Sequence, residues 1–228
     1  MLYLITPTGN RFLQFQLCVE MMANQTYDDK ITWIIADDGQ KHVETPIIKD
    51  WDIIHIKRNY HPGNTQGANL ATALKACDPN GKILIIEDDD FYSPQWIEIM
   101  SKQLSYSNMC GQIKHKYYNI QNKTYKQFNN NKHAGLCCTG IRGLEAYTLF
   151  MNISNQRPKF IDVHLWHNFK GIKQLFIGNY VIGIKGMPGR NGIGTGHRGL
   201  SHKDDNQCNT LRKWVGDVWA EKYIGIYS

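Results

Sequence analysis

Short apolar runs separated by polar breaks set the rhythm of the first hundred residues. Leu2 to Thr6 is apolar and is broken at once by Pro7, Gly9 and Asn10. Phe12, Phe15, Val19 and Met22 then recur at three- or four-residue intervals, which predicts a helix with one apolar face. Ile31 to Ala36 predicts a second strand, ending in Asp37-Asp38-Gly39, and Trp51 to Ile56 a third, ending in Lys57-Arg58-Asn59. The loop His61-Pro62-Gly63-Asn64 opens a helix with Ala68, Ala71 and Leu74 on one face. Ile83 to Ile86 reads as a buried strand of a parallel sheet. Four acids follow it without a spacer, and Ser93 with Pro94 predicts the cap and first position of the next helix. This β-α-β-β-α-β-α order predicts an α/β fold: a Rossmann-like, mostly parallel sheet flanked by helices.

Beyond Gln103 the periodicity is weaker and predicts a smaller, mixed C-terminal part. Met109 to Ile113 is a candidate strand, and residues 114 to 133, basic and Asn-rich, predict a hairpin or long loop. A helix is expected from Arg142 to Asn152, and Phe160 to Asn168 starts extended and turns helical, with Asp162 near its beginning. Strands at Gln174 to Ile177 and Val181 to Ile184 precede a Gly-rich loop, Gly186 to Gly199, and an amphipathic helix from Asp204 to Trp219. With no internal repeat and no linker, residues 1–228 are expected to form one domain, 1–105 and 106–228 being its two functional halves.

Composition adds two constraints. No apolar run approaches a membrane span and the N-terminus enters a strand directly, so neither membrane insertion nor a signal peptide is expected. The six cysteines have no Cys-x-x-Cys spacing and are expected to be reduced, mostly buried thiols of a cytoplasmic protein. Charge is divided unevenly: residues 1–98 carry 8 Lys/Arg against 14 Asp/Glu, residues 99–228 carry 18 against 6. The first half is built to hold a cation, the second to meet an anion.

The cation is localised by Glu87, Asp88, Asp89 and Asp90. They stand at the carboxyl end of a buried strand, where open α/β sheets bind their ligands. Two carboxylates ~4 Å apart repel by roughly 4 kcal/mol at an effective dielectric of ~20. Oxygen-only donors suit a hard divalent ion, Mn²⁺ or Mg²⁺, shared with phosphates. A solvated acidic turn is the plainer alternative, and the strand-end position argues against it.

Four segments in register, Thr6–Arg11, Ile34–Gly39, Asn59–Asn69 and Ile85–Asp90, resemble GT-A fold glycosyltransferases, and most closely their family 2. The resemblance covers roughly residues 1–105. It implies a nucleotide-sugar donor, a UDP-sugar first among them, bound by Pro7, Thr8, Arg11, Asp37 or Asp38, Gly63, Gly67, Asn69 and Asp88. It makes Asp89 and Asp90 metal ligands, with Glu87 standing where the family usually has Asp. In the second half, Phe160-Ile161-Asp162 is similar to the segment carrying the family's Glu-Asp pair, which makes Asp162 the general base, with Ile161 in the place of Glu. Capping the helix is its other candidate role. His197 is a candidate late metal ligand, and Arg190 and Arg198 candidates for holding the diphosphate.

The acceptor is read from charge. Residues 99–144 hold seven Lys/Arg, no acid and five aromatics. Lys114, Lys116, Tyr117, Tyr118 and Lys123 are therefore candidate acceptor contacts, with DNA carrying a hydroxylated base as the leading acceptor. Free-standing bacteriophage enzymes of this fold glycosylate hydroxymethylated pyrimidines, so the resemblance permits that acceptor. A lipid phosphate or an acidic saccharide are the alternatives within the same activity. Outside it stand a metal-dependent nuclease, a non-catalytic nucleotide- or nucleic-acid-binding module, and a nucleotide-sugar pyrophosphorylase. The last lacks its Gly-rich N-terminal loop here.

Overall fold

The computed structural model describes residues 1–48, 50–190 and 202–227. The apolar runs become the centre of a seven-stranded sheet. Its strands are β1 (Leu2–Thr8), β2 (Ile31–Asp37), β3 (Asp52–Lys57), β4 (Lys82–Ile85), β6 (Met109–Ile113), β9 (Thr139–Arg142) and β10 (Lys173–Ile177). Their spatial order is β10-β6-β9-β4-β1-β2-β3. Every neighbouring pair is parallel except those of β9, which runs antiparallel to β4 and β6. β1 and β2 are buried at every position, as central strands covered on both faces must be, whereas the edge strand β3 is partly exposed.

Helices α1 (Phe12–Ala23), α2 (Gln66–Leu74), α3 (Trp96–Gln103), α4 (Leu144–Gln156) and α5 (Ile161–Asn168) accompany this sheet. A second, five-stranded sheet has the order β12-β8-β7-β11-β5 and uses β5 (Phe91–Tyr92), β7 (Lys116–Asn119), β8 (Thr124–Gln127), β11 (Val181–Lys185) and β12 (Lys203–Asp204). The predicted hairpin within 114–133 is β7 and β8. Two short helices, α6 (Asn209–Val215) and α7 (Asp217–Ile224), end the described chain. Among the described residues, no helix is long and apolar enough to cross a membrane.

Three local expectations are corrected. Ser93 does not cap α3: the chain first makes the two-residue strand β5, held by the Ser93 N–H on the Tyr180 carbonyl, and α3 starts at Trp96. The expected helix over Asp204 to Trp219 is two helices, because Gly216, with φ +83°, takes a backbone turn no helix interior allows. β9 lies where no strand is predicted; at four residues, one of them glycine, it carries too short a pattern to read.

Candidate active site

The carboxyl ends of β1, β2 and β4 open into a cavity of about 690 Å³, whose opposite wall is made by the second sheet, the 133–137 turn and the start of α5. The four acids after β4 line it, and each is held differently. Thr8 Oγ1 donates to Asp88 Oδ2 at 2.7 Å. Arg11, just before α1, spans two acids, with 3.0 Å to Asp88 Oδ1 and 2.6 Å to Asp89 Oδ2. Lys185, the last residue of β11, lies 2.8 Å from Asp90 Oδ1 and 3.8 Å from Asp89 Oδ2. Glu87 accepts from Gln66 Nε2, and its backbone N–H donates to the Tyr92 hydroxyl at 2.8 Å.

Among the described residues, two cations therefore face four carboxylates. Burial pushes Glu87 up to about 8, with Asp90 and Asp89 adding repulsion and Lys185 opposing it. Burial likewise raises Asp88 to about 6 against the pull of Arg11, and raises Asp90 against Lys185. Burial disfavours charge on Arg11 and Lys185, but the surrounding carboxylates outweigh it and hold both above their ordinary values. Among the described residues the buried carboxylates outnumber the cations, which fits a divalent ion bound through oxygen.

On the nucleotide side the structure separates residues that the sequence groups together. Pro7, Thr8, Arg11, Asp38, Gly63, Asn69, Asp88 and Arg190 line the cavity. Asp37 does not: it is fully buried, accepting from the N–H groups of Gly39 and Val43 at 2.8 Å each, with His42 and His55 nearby. It shapes the loop that presents Asp38. Gly67 also leaves the site, because its missing Cβ would lie 2.7 Å from the Ser154 carbonyl oxygen; glycine there lets α2 approach α4. Asn69 bridges Thr8 O and Asp38 Oδ1 at 3.0 Å each. Arg190 pairs with Asp38 at 3.1 Å and donates to the carbonyls of His61 and Gly63, closing one loop over the other. His197 and Arg198 lie outside the described residues.

Asp162 enters the same cavity from the first turn of α5. Burial raises its pKa above the ordinary carboxylate value, opposed by the Val163 N–H and by His133 and His115. Of the five candidate acceptor contacts only Tyr117 lines the cavity. Strand alternation turns its neighbours on β7 the other way. Tyr118 is completely buried, and Lys116 lies over the Trp214 ring at 5.1 Å and bonds Asn179 at 2.6 Å. Lys114, before β7, and Lys123, in the turn between β7 and β8, both have left-handed backbone, φ 58° and 49°, and neither lines the cavity. Unforeseen were His115 and His133 beside Asp162 and the pairing of Lys185 with the acids; Phe128 lines the same cavity. Phe128 meets Tyr117 edge-on with ring centroids 5.1 Å apart. The signal for Lys185 was a single lysine closing an apolar strand.

Comparison with known proteins agrees with this geometry. The model of the family "Glycosyl transferase family 2" matches residues 3–175. No curated protein matches the sequence. Among solved structures, S. aureus TarS superposes with a TM-score of 0.56 at 11% identity, over 80% of this chain and 36% of that one. A 1–349 form of TarS in complex with UDP-GlcNAc gives 0.56 at 10% identity, covering 80% and 58%. The glycosyltransferase GlyE of Streptococcus pneumoniae TIGR4 gives 0.51 at 9% identity, covering 79% and 46%. The chain thus spans between a third and three-fifths of these structures' lengths, and they share its fold. With the family model matching most of its length, and the strand-end acids and Asp162 on one cavity, the chain belongs to glycosyltransferase family 2.

Proposed function

We propose that this protein transfers a sugar from a nucleotide-sugar donor, most simply a UDP-sugar, to an acceptor hydroxyl, with Mn²⁺ or Mg²⁺ bound at Asp89. The observation that carries this is the single cavity joining the acids after β4 to Asp162 at the start of α5, a leaving-group side and a base side facing one space. A divalent ion there would neutralise the departing diphosphate. Asp88, Thr8 and Arg11 orient the donor, and Arg11, held by Asp88 and Asp89 in the structure, is free to share its charge with the diphosphate once a cation takes over those acids. Asp162 takes the proton of the acceptor hydroxyl as that oxygen attacks the anomeric carbon. Displacement from the face opposite the diphosphate inverts the anomeric configuration. Support for a uridine donor comes from the UDP and UDP-GlcNAc complexes of TarS.

For the acceptor, the reading is DNA carrying a hydroxymethylated pyrimidine. It is supported by the basic, acid-free stretches and by the Tyr117–Phe128 edge beside Asp162, with Lys126 lying 4.8 Å over the Phe128 ring. A base leaving the duplex to reach Asp162 needs such a stacking wall. The test is incubation of the protein with Mn²⁺, a panel of nucleotide sugars and duplex DNA with or without hydroxymethylated pyrimidines, followed by nucleoside mass spectrometry. A hexose or N-acetylhexosamine mass increment confined to the hydroxymethylated duplex supports the reading. Release of UDP with no change in the DNA would remove DNA as acceptor and keep the donor chemistry.

A further inference from the structure

We propose that Glu87, Asp90 and Cys137 form an inner cation site for a borderline-soft divalent ion such as Zn²⁺ or Co²⁺, apart from the oxygen-only position at Asp89 that faces the donor. Each of the three residues offers one ligand atom, and these atoms lie within 4.8 Å of one another. Cys137 sits on a 3₁₀ turn, Leu136–Cys138, that leads into β9. The turn therefore brings a thiol from one side of the cavity against carboxylates from the other.

The second observation is the state of Asp90. Its side chain is fully buried; Oδ1 accepts from the Ile184 N–H at 2.9 Å and from Lys185 at 2.8 Å, while Oδ2 has no N–H or O–H donor and the carboxylate's other neighbour is the weakly donating Cys137 thiol. A buried carboxylate oxygen so poorly paired costs ~1–3 kcal/mol. A cation on Oδ2 would remove that penalty without disturbing Lys185. Charge balances as well, since two carboxylates and a thiolate carry three negative charges, which Lys185 and one divalent ion cancel. Donor softness sets the preference, because thiolate favours zinc-like ions whereas carboxylate-only sites suit magnesium and manganese. The donors need to contract by roughly 1 Å to meet bonds of ~2.0–2.3 Å. On binding, the Cys137 S–H bond is exchanged for a sulfur–metal bond and the proton leaves to solvent, with no change of oxidation state. The bound ion would pin the acidic loop after β4 to the turn before β9, fixing the cavity wall between donor and acceptor.

The test is a Co²⁺ titration of the reduced, metal-stripped full chain, following the near-ultraviolet thiolate-to-cobalt charge-transfer band, with UDP binding measured by calorimetry on the same samples. The band is expected to saturate at one equivalent, to vanish in Cys137→Ser and to persist in Cys138→Ser and Asp89→Asn. Absence of the band from wild-type protein that still binds UDP overturns the inner site and leaves the donor reading intact. A band in protein that does not bind UDP supports the inner site and counts against the donor reading. A band lost in Cys138→Ser and kept in Cys137→Ser overturns the assignment. Should Cys137→Ser fail to fold, X-ray absorption of Zn²⁺-loaded wild-type protein decides: one sulfur at ~2.3 Å supports the site, and an all-oxygen shell overturns it.

Discussion

Lys185 Nζ lies 2.8 Å from Asp90 Oδ1, an ion pair that joins the last residue of β11 in the small sheet to the acidic end of β4 in the large one. Both side chains are almost wholly buried. Removing one partner of a buried pair strands the other charge, which costs ~3–5 kcal/mol, whereas an exposed pair is worth ~0–1 kcal/mol. Lys185→Met is expected to fall in the first range by denaturant unfolding at neutral pH, and Asp90→Asn added to it to recover part of the loss. A loss of the smaller size would mean that water screens the pair.

The acids should give the metal-free protein an unusual pH dependence. Glu87 at about 8 and Asp88 at about 6 sit above their unfolded values of ~4.3 and ~3.9. The folded protein then holds more protons than the unfolded one, so this contribution to stability is fully present below pH ~4 and is lost as pH rises through 6 and then 8. Thermal unfolding of the metal-free protein should decline over that range, and the gain from added Mn²⁺ should grow, since the ion replaces those protons. A Mn²⁺ gain that shrinks from pH 6 to 8 would contradict the cluster as a cation site.

Asp162→Asn keeps the shape of the side chain and removes its basicity. Turnover is expected to fall by ~10²–10⁴ while UDP affinity stays within twofold, as general-base loss predicts. Because burial raises Asp162, the rising limb of kcat against pH should have its midpoint above the ordinary ~3.9 and disappear in the variant. Loss of UDP binding in Asp162→Asn would make the residue structural.

If the acceptor is DNA, its binding should weaken with salt by ~0.9 log unit per log unit of salt for each phosphate contacted. Phe128→Ala should raise KM for the modified duplex and leave UDP affinity unchanged, since Phe128 lines the cavity against Tyr117. An unchanged KM would mean that the Tyr117–Phe128 edge takes no part in holding the acceptor.

What could be read beforehand follows from range along the chain. β1, β2 and β4 announce themselves because buried parallel strands are continuous apolar runs, and the acids after β4 inherit their position from it. Lys185 could not be assigned to Asp90, since the contact spans 95 residues and depends on β11 pairing with the two-residue β5. Tyr117 and Tyr118 looked equivalent because adjacent strand residues differ only in which face they take, and that is fixed by the partner strands. Gly67 resembled a ligand loop, while its reason for being glycine is the α4 backbone.

The central claim, a nucleotide-sugar site completed by a cation at the acids after β4, is tested most directly by thermal unfolding with UDP in the presence and absence of Mn²⁺. A ligand at 100 times its Kd adds ~2.7 kcal/mol, a shift easily resolved. The account predicts a large UDP shift with Mn²⁺, a small one with the ion chelated, and no Mn²⁺-dependent part in Asp89→Ala, whose own fold is retained. An equal UDP shift with and without Mn²⁺, unchanged in Asp89→Ala, would contradict it.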